Sequence, residues 1–269
     1  MAVSGTHDQQ GLPPFSRTRF GWFMTYVRWF FRRHFHALRL LDGSHPAIEG
    51  RSLVVYTNHP GWWDPLVFLL VAEQLYPGRL NYGPIDASAL GKYRFLESIG
   101  FLGIEPGTWQ GSKKFLRSAR ASQQRTDTIF WITAAGTFVD PRVRPVPIRP
   151  GVAHVAAGGE GLLVPMAMEY PFWNERLPEA LVAFGKPIDL SAAEARSTDA
   201  WQEQLTDALA ATQEQLAEAA MARDAAAFRT LAVGREGVGT VYDTLRWASA
   251  RLRGKRFDPS HTGTTLEQR

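Results

Sequence analysis

The chain has 269 residues, 45% hydrophobic and 21% charged, a globular balance that suits one large domain or two small ones. It has no cysteine, which excludes disulfides, Cys-rich zinc sites and a thiol nucleophile. A formal charge of +4 and a pI near 9.5 suit an anionic surface or ligand without naming one, and no run of about 18 apolar residues offers a simple membrane-spanning helix.

Residues 1–19 open as MAVSGTHDQQGLPPFS, polar and carrying Gly and Pro. They lack a signal peptide's charged start and apolar centre, and they read as a disordered leader. Residues 20–41, FGWFMTYVRWFFRRHFHALRLL, read as an amphipathic helical arm. At about 100° per residue, Phe20, Phe23, Met24, Val27, Phe30, Phe31, Phe35 and Leu38 share one face. Arg28, Arg32, His36 and Arg39 share another, with Trp22, Tyr26 and Trp29 along a border. Such a pattern commonly packs on a protein's own core. Here the apolar face is unusually aromatic and no acid interrupts Arg17 to Leu41, which favours a helix lying in a membrane interface.

Residues 42–190 change character. SLVVYT (Ser52 to Thr57), a weak RLNYG (79–83), FLGIE (101–105), DTIFWIT (Asp127 to Thr133), LLVPMAM (Leu162 to Met168) and EALVAFG (Glu179 to Gly185) read as strands or short extended pieces. Pro65 to Leu75, Ser88 to Gly100, a segment starting near Ser112, and Gly151 to Gly159 read as helices. The alternation predicts an α/β fold with a mixed, largely parallel sheet flanked by helices. Ligands of such sheets bind beyond the carboxyl ends of strands. Two segments stand there: NHPGWWD after Thr57 and TAAGT after Ile132.

His59 and Asp64, five residues apart, do not share a helix face. Pro60 and Gly61 suggest a tight turn that returns the Asp64 carboxylate to one imidazole nitrogen. A carboxylate on Nδ1 fixes the tautomer and stabilises the imidazolium, leaving the other nitrogen as a general base. The plain alternative is a satisfied histidine beside a helix-capping aspartate.

NHPGWWD resembles the Asn-His-(four residues)-Asp signature of the glycerolipid, lysophosphatidic-acid-type acyltransferases, and this chain looks like a divergent member. Further blocks follow in that family's order over roughly residues 50–190: GFLGIEPG (Gly100 to Gly107), ITAAGTFVDPRVRPVPIRPGVAHVA (Ile132 to Ala156) and LLVPMAMEY (Leu162 to Tyr170). The resemblance implies His59 as base and Asp64 as its support. It implies a substrate-binding set of Asn58, Glu105, Gly136, Thr137, Arg144 and Arg149, with backbone donors near Gly136 for the oxyanion. The chain departs from the pattern at Ala135, where the family carries Glu, and at Pro106 and Phe138, where it carries Arg. Those charges help hold the acceptor, so the departures imply a less anionic acceptor unless Lys113, Arg142, Arg144 or Arg149 replaces them.

Competing motifs are weak. GTWQGSKK has the wrong spacing for a phosphate loop, GREGVG the wrong order for a dinucleotide fingerprint, and no G-x-S-x-G elbow occurs. The histidines do not cluster at metal-ligand spacing. Residues 191–257 read as a C-terminal helical extension. It begins with a capping box at Ser191–Glu194, buries Trp201, Leu205, Leu209, Thr212 and Leu216, and continues into a basic helix over Gly239 to Phe257. Residues 258–269 read as a disordered tail.

The expectation is a peripheral O-acyltransferase on the cytoplasmic face of a membrane. It uses acyl-CoA or acyl carrier protein as co-substrate and a lipid-like hydroxyl as acceptor, with no metal, no cofactor and no nucleic-acid partner. The alternative is a catalytically silent lipid- or acyl-chain-binding protein on the same scaffold, for which Ala135 and Phe138 argue.

Overall fold

The computed structural model describes residues 11–48, 50–194 and 196–235. These form one nine-stranded mixed, mostly parallel sheet with helices on both faces. The strands are β1 (Ala37–Leu41), β2 (Leu53–Thr57), β3 (Leu80–Asp86), β4 (Phe101–Ile104), β5 (Thr128–Thr133), β6 (Leu162–Glu169), β7 (Ala180–Phe184), β8 (Ile188–Asp189) and β9 (Phe228–Val233). Their order is β4-β3-β5-β2-β6-β7-β1-β9, with β8 against β6. From β4 to β6 every neighbour is parallel; β7 runs antiparallel to β6, and β9 antiparallel to β1.

The helices are α1 (Arg17–His34), α2 (Asp64–Leu75), α3 (Ala87–Lys92), α4 (Trp109–Gln123), α5 (Pro150–Ala156) and α6 (Thr198–Ala222). Strand β2 shows why its sequence is an unbroken apolar run. Leu53 and Val55 enter the core with buried residues of α1 and α2, while Val54 and Tyr56 enter the opposite core with α4, α5 and α6. A central parallel strand is covered on both faces, so alternation disappears.

The N-terminal arm is shorter than its helical periodicity suggests. Helix α1 ends at His34, Phe35 turns extended, and the His36 N–H bonds the Pro178 carbonyl, drawing the chain into the sheet as β1. Phe35 and Leu38 are buried, but as part of a loop and a strand rather than a helix face. Met24, Val27 and Phe31 anchor α1 on the core, and burying such a side chain stabilises by about 1.5–3 kcal/mol. The apparently all-cationic face finds its acids far away in sequence: Arg28 pairs with Glu73 at 2.5 Å, and His36 and Arg39 both reach Glu179.

Other boundaries also move. The helix expected over Ser88 to Gly100 breaks at Tyr93 into α3 and a 3-10 turn, Arg94–Ile99. Gly100 then turns left-handed at φ +104, where a Cβ would meet the Asn81 carbonyl at 1.8 Å. Residues 11–16 pack on the fold: Ser118 donates to the Gly11 carbonyl, and Ser16 caps α1. The cap of α6 is Ser197, whose hydroxyl accepts from the Ala200 N–H, while Ser191 accepts from the Gly161 N–H in a turn. Residues 198–233 are no appendage. Helix α6 buries Trp201, Leu205, Leu209, Thr212 and Leu216 as expected, and β9 adds an unforeseen strand beside β1. The basic helix expected over 239–257 and the tail at 258–269 lie outside the described residues.

Candidate active site

Strand β2 ends at Thr57 and delivers Asn58 and His59 to the carboxyl edge of the parallel strands. Asn58 is buried and used up. Its amide donates to the Met168 carbonyl and its oxygen accepts the Met168 N–H, both at 2.9 Å. That brace ties the end of β2 to β6, and it leaves Asn58 facing protein rather than an acceptor.

The Pro60-Gly61 turn brings the Asp64 carboxylate back to His59, with Nδ1 to Oδ2 at 2.5 Å. Asp64 opens α2 and is fully buried. Its charge there faces the positive end of the helix dipole. The same Oδ2 accepts the Gly61 N–H at 3.3 Å, and Oδ1 accepts the Tyr170 hydroxyl at 2.6 Å. A carboxylate only accepts, so in the neutral imidazole Nδ1 carries the proton and Nε2 the lone pair. Burial and the adjacent Asp64 carboxylate hold the Tyr170 phenol well above its ordinary pKa, so it remains a donor.

The two tryptophans divide their labour. Trp63 turns inward, with ring centroids 5.0 Å from Phe30 and 5.6 Å from Phe35, and Trp62 stands exposed, perpendicular to it. Phe35 also lies 5.6 Å from Tyr170. An aromatic wall from α1 and Phe35 just after it therefore seats both the turn that carries His59 and the tyrosine that holds Asp64.

The loop after β5 closes the other side. Val139 donates its N–H to the His59 carbonyl at 2.9 Å, and the Phe138 ring lies 4.5 Å from the imidazole while remaining 61% exposed. Gly136 holds φ +64, where a Cβ would approach Arg149 Nε to 2.8 Å, so glycine lets the guanidinium lie over the loop. The Gly136 N–H is spent on the Thr133 carbonyl. The N–H groups of Thr137 and Phe138 have no hydrogen-bond partner among the described residues, which leaves two successive donors beside His59.

The expected binding residues thus separate. Gly136 and Thr137 lie in the loop that touches His59. Arg149 donates Nε to the Ala135 carbonyl at 3.0 Å, and no carboxylate among the described residues pairs with it. Arg144 is engaged, with Nη1 on Glu214 at 2.7 Å and Nη2 on Glu169 at 3.3 Å. Glu105 stands exposed beyond β4, three strands from β2, which is roughly 14 Å across the sheet. Sequence reading missed Tyr170. Its signals were its place at the end of the LLVPMAMEY block and one residue past the strand beside β2, and neither assigned it a role. Among the described residues no group of three or more His, Cys, Asp or Glu side chains is placed to hold a metal ion.

Compared with protein-family models the chain matches none, and no curated protein matches it either. The acyltransferase resemblance rests on the motif residues themselves.

Proposed function

We propose that this protein is a membrane-surface O-acyltransferase that moves a fatty acyl group from a thioester to the hydroxyl of a lipid-like acceptor. The observation that carries the reading is the His59–Asp64 pair at the end of β2, its carboxylate buried and held by neutral donors. His59 Nε2 takes the acceptor's hydroxyl proton as the oxygen attacks the thioester carbonyl carbon. The resulting oxyanion meets the free N–H groups of Thr137 and Phe138. Collapse breaks the carbon–sulfur bond, and the departing thiolate recovers the proton from the imidazolium. Asp64 stabilises that cation, and Tyr170 fixes Asp64.

The membrane half of the reading is supported by α1. Trp22 is 79% exposed, and Tyr26 and Trp29 are exposed beside it, flanked by exposed Arg19, Arg32 and Arg33. Through Phe30, 6.2 Å from Trp62, this aromatic row runs up to the turn bearing His59. Rings with cations at the rim suit the headgroup region of a bilayer. No helix among the described residues is long and apolar enough to cross a membrane. A surface-bound enzyme using acyl-CoA or acyl carrier protein works on the cytoplasmic face, where such thioesters are held.

The decisive assay offers purified protein a labelled acyl-CoA or acyl carrier protein thioester with a total lipid extract, and identifies products by mass spectrometry. Transfer that needs His59 supports the proposal. A folded protein that binds lipid but transfers from neither donor sinks it and leaves the silent binding protein. In parallel, Trp22→Ala with Trp29→Ala is expected to release the protein from anionic vesicles in a sedimentation assay.

A further inference from the structure

The loop between β5 and α5 is the part of the fold that reaches over His59, and it carries three arginines. Arg142 is clamped to Asp140 through Nε at 2.9 Å and Nη2 at 2.7 Å. That guanidinium holds the Asp140 carboxyl well below its ordinary value, so the partner stays ionised. Arg144 is shared between Glu169 and Glu214. Arg149 alone faces no carboxylate among the described residues, and its Nε is given to the Ala135 carbonyl. Two of the three guanidiniums are thus set against three carboxylates. Behind this loop, the two lysines that open α4 are directed elsewhere: Lys114 donates to the Gly103 carbonyl, and Lys113 lies over the Trp109 ring at 5.0 Å.

The ring packed on the His59 imidazole is apolar, Phe138 at 4.5 Å, and Trp62 in the same turn is exposed. A phosphomonoester carries nearly two negative charges at neutral pH. Bringing it beside His59 strips water from those charges, and several converging cationic donors are needed in return. This loop offers one.

We infer that the acceptor is a hydroxyl lipid with no phosphomonoester beside its reacting hydroxyl, its uncharged alcohol or sugar face lying against Phe138 and Trp62. The inference rests on the acyl-transfer reading and names the substrate class of that same site. Arg149 is left as this loop's one cation outside an ion pair, and it orients the acceptor's polar end.

The test presents the full chain with one acyl-CoA and three acceptors in identical mixed micelles: lysophosphatidic acid, a monoacylglycerol and a monoglycosylated lipid. An uncharged acceptor is expected to exceed lysophosphatidic acid in kcat/KM by at least about tenfold. Preference for lysophosphatidic acid overturns the inference while leaving acyl transfer standing. Failure to transfer to any of the three leaves acyl transfer itself to the two-donor lipid-extract assay, and a binding measurement then decides the charge question by itself. Titration calorimetry with soluble glycerol 3-phosphate is expected to show no binding tighter than ~1 mM. A dissociation constant below ~0.1 mM that Arg149→Gln weakens reveals a working phosphate cradle and overturns the inference.

Discussion

His59 and His36 both direct Nδ1 at a buried carboxylate, Asp64 at 2.5 Å and Glu179 at 2.6 Å. Both pairs lie at the same end of the sheet, where β2 and β6 finish and β7 and β1 begin. They differ in the second carboxylate oxygen. Glu179 Oε2 is taken by Arg39 Nε at 3.0 Å, so its charge is already answered, and the complex pins β1 to the start of β7. Asp64 Oδ1 is taken by a neutral phenol. Its negative charge is steadied but not cancelled, which leaves it free to favour a cation forming on His59. A histidine–carboxylate distance alone therefore does not distinguish a structural pair from a reactive one. The partner on the far oxygen does.

The sharpest way to break this contrast is to remove each histidine. His59→Ala is expected to lower acyl transfer by ~10² to 10⁴ with the fold retained, as for loss of a general base. His36→Ala should leave turnover per folded molecule unchanged. Rates measured beside thermal melts decide it, and equal losses of activity would erase the distinction.

Removing the carboxylates reverses the pattern. Glu179→Ala leaves His36 and Arg39 without their shared partner, and breaking such a buried pair costs about 3–5 kcal/mol in a urea melt. Asp64→Asn keeps the shape of its site and should spare most stability, but an amide cannot stabilise the imidazolium, so transfer falls. A melt in which Asp64→Asn loses more stability than Glu179→Ala contradicts the assignment.

Tyr170→Phe removes one hydrogen bond to a charged group, typically about 1.5–3 kcal/mol. The expected result is a roughly 10- to 100-fold lower kcat, since each 1.36 kcal/mol of barrier is tenfold, with KM little changed. A change in KM alone would mean the tyrosine serves binding instead.

The smallest effect is one of pH. The Glu179 hydrogen bond raises the His36 pKa against the opposing effect of burial. The native state therefore holds a proton that the unfolded chain releases near 6.5, and this stabilisation is full below that value and is lost as pH rises through the folded-state pKa. Subtracting His36→Gln urea stabilities from wild-type values across pH 5–9 should give a difference largest at the acid end. A difference that grows with pH refutes the linkage.

How legible this was in the sequence depended on contact distance along the chain. The His59–Asp64 pair spans five residues and a Pro-Gly turn, so its geometry was readable locally. Strands β2, β5, β6 and β7 announced themselves because both of their faces are buried. Strand β1 did not, because Leu38 and its neighbours continue the apolar rhythm of α1, and only pairing with residues 180–182 makes them extended. FRTLAV in β9 carries a single face's worth of apolar side chains and sits at an edge. Tyr170 joins Asp64 from 106 positions away, Glu179 meets Arg39 from 140 and Glu73 meets Arg28 from 45, relations no local pattern encodes.

Strand β1 also sets an order of events. It lies between β7 and β9, and Leu40 pairs with Arg229, about 190 positions later. At synthesis rates of 5–20 residues per second, that strand waits roughly 10 to 40 s for its outer neighbour to emerge. Helix α1 directly precedes it, so the helix and its row of rings leave the ribosome long before the sheet that will seat them exists. In the nascent chain those rings therefore emerge ahead of the scaffold that will stand behind them.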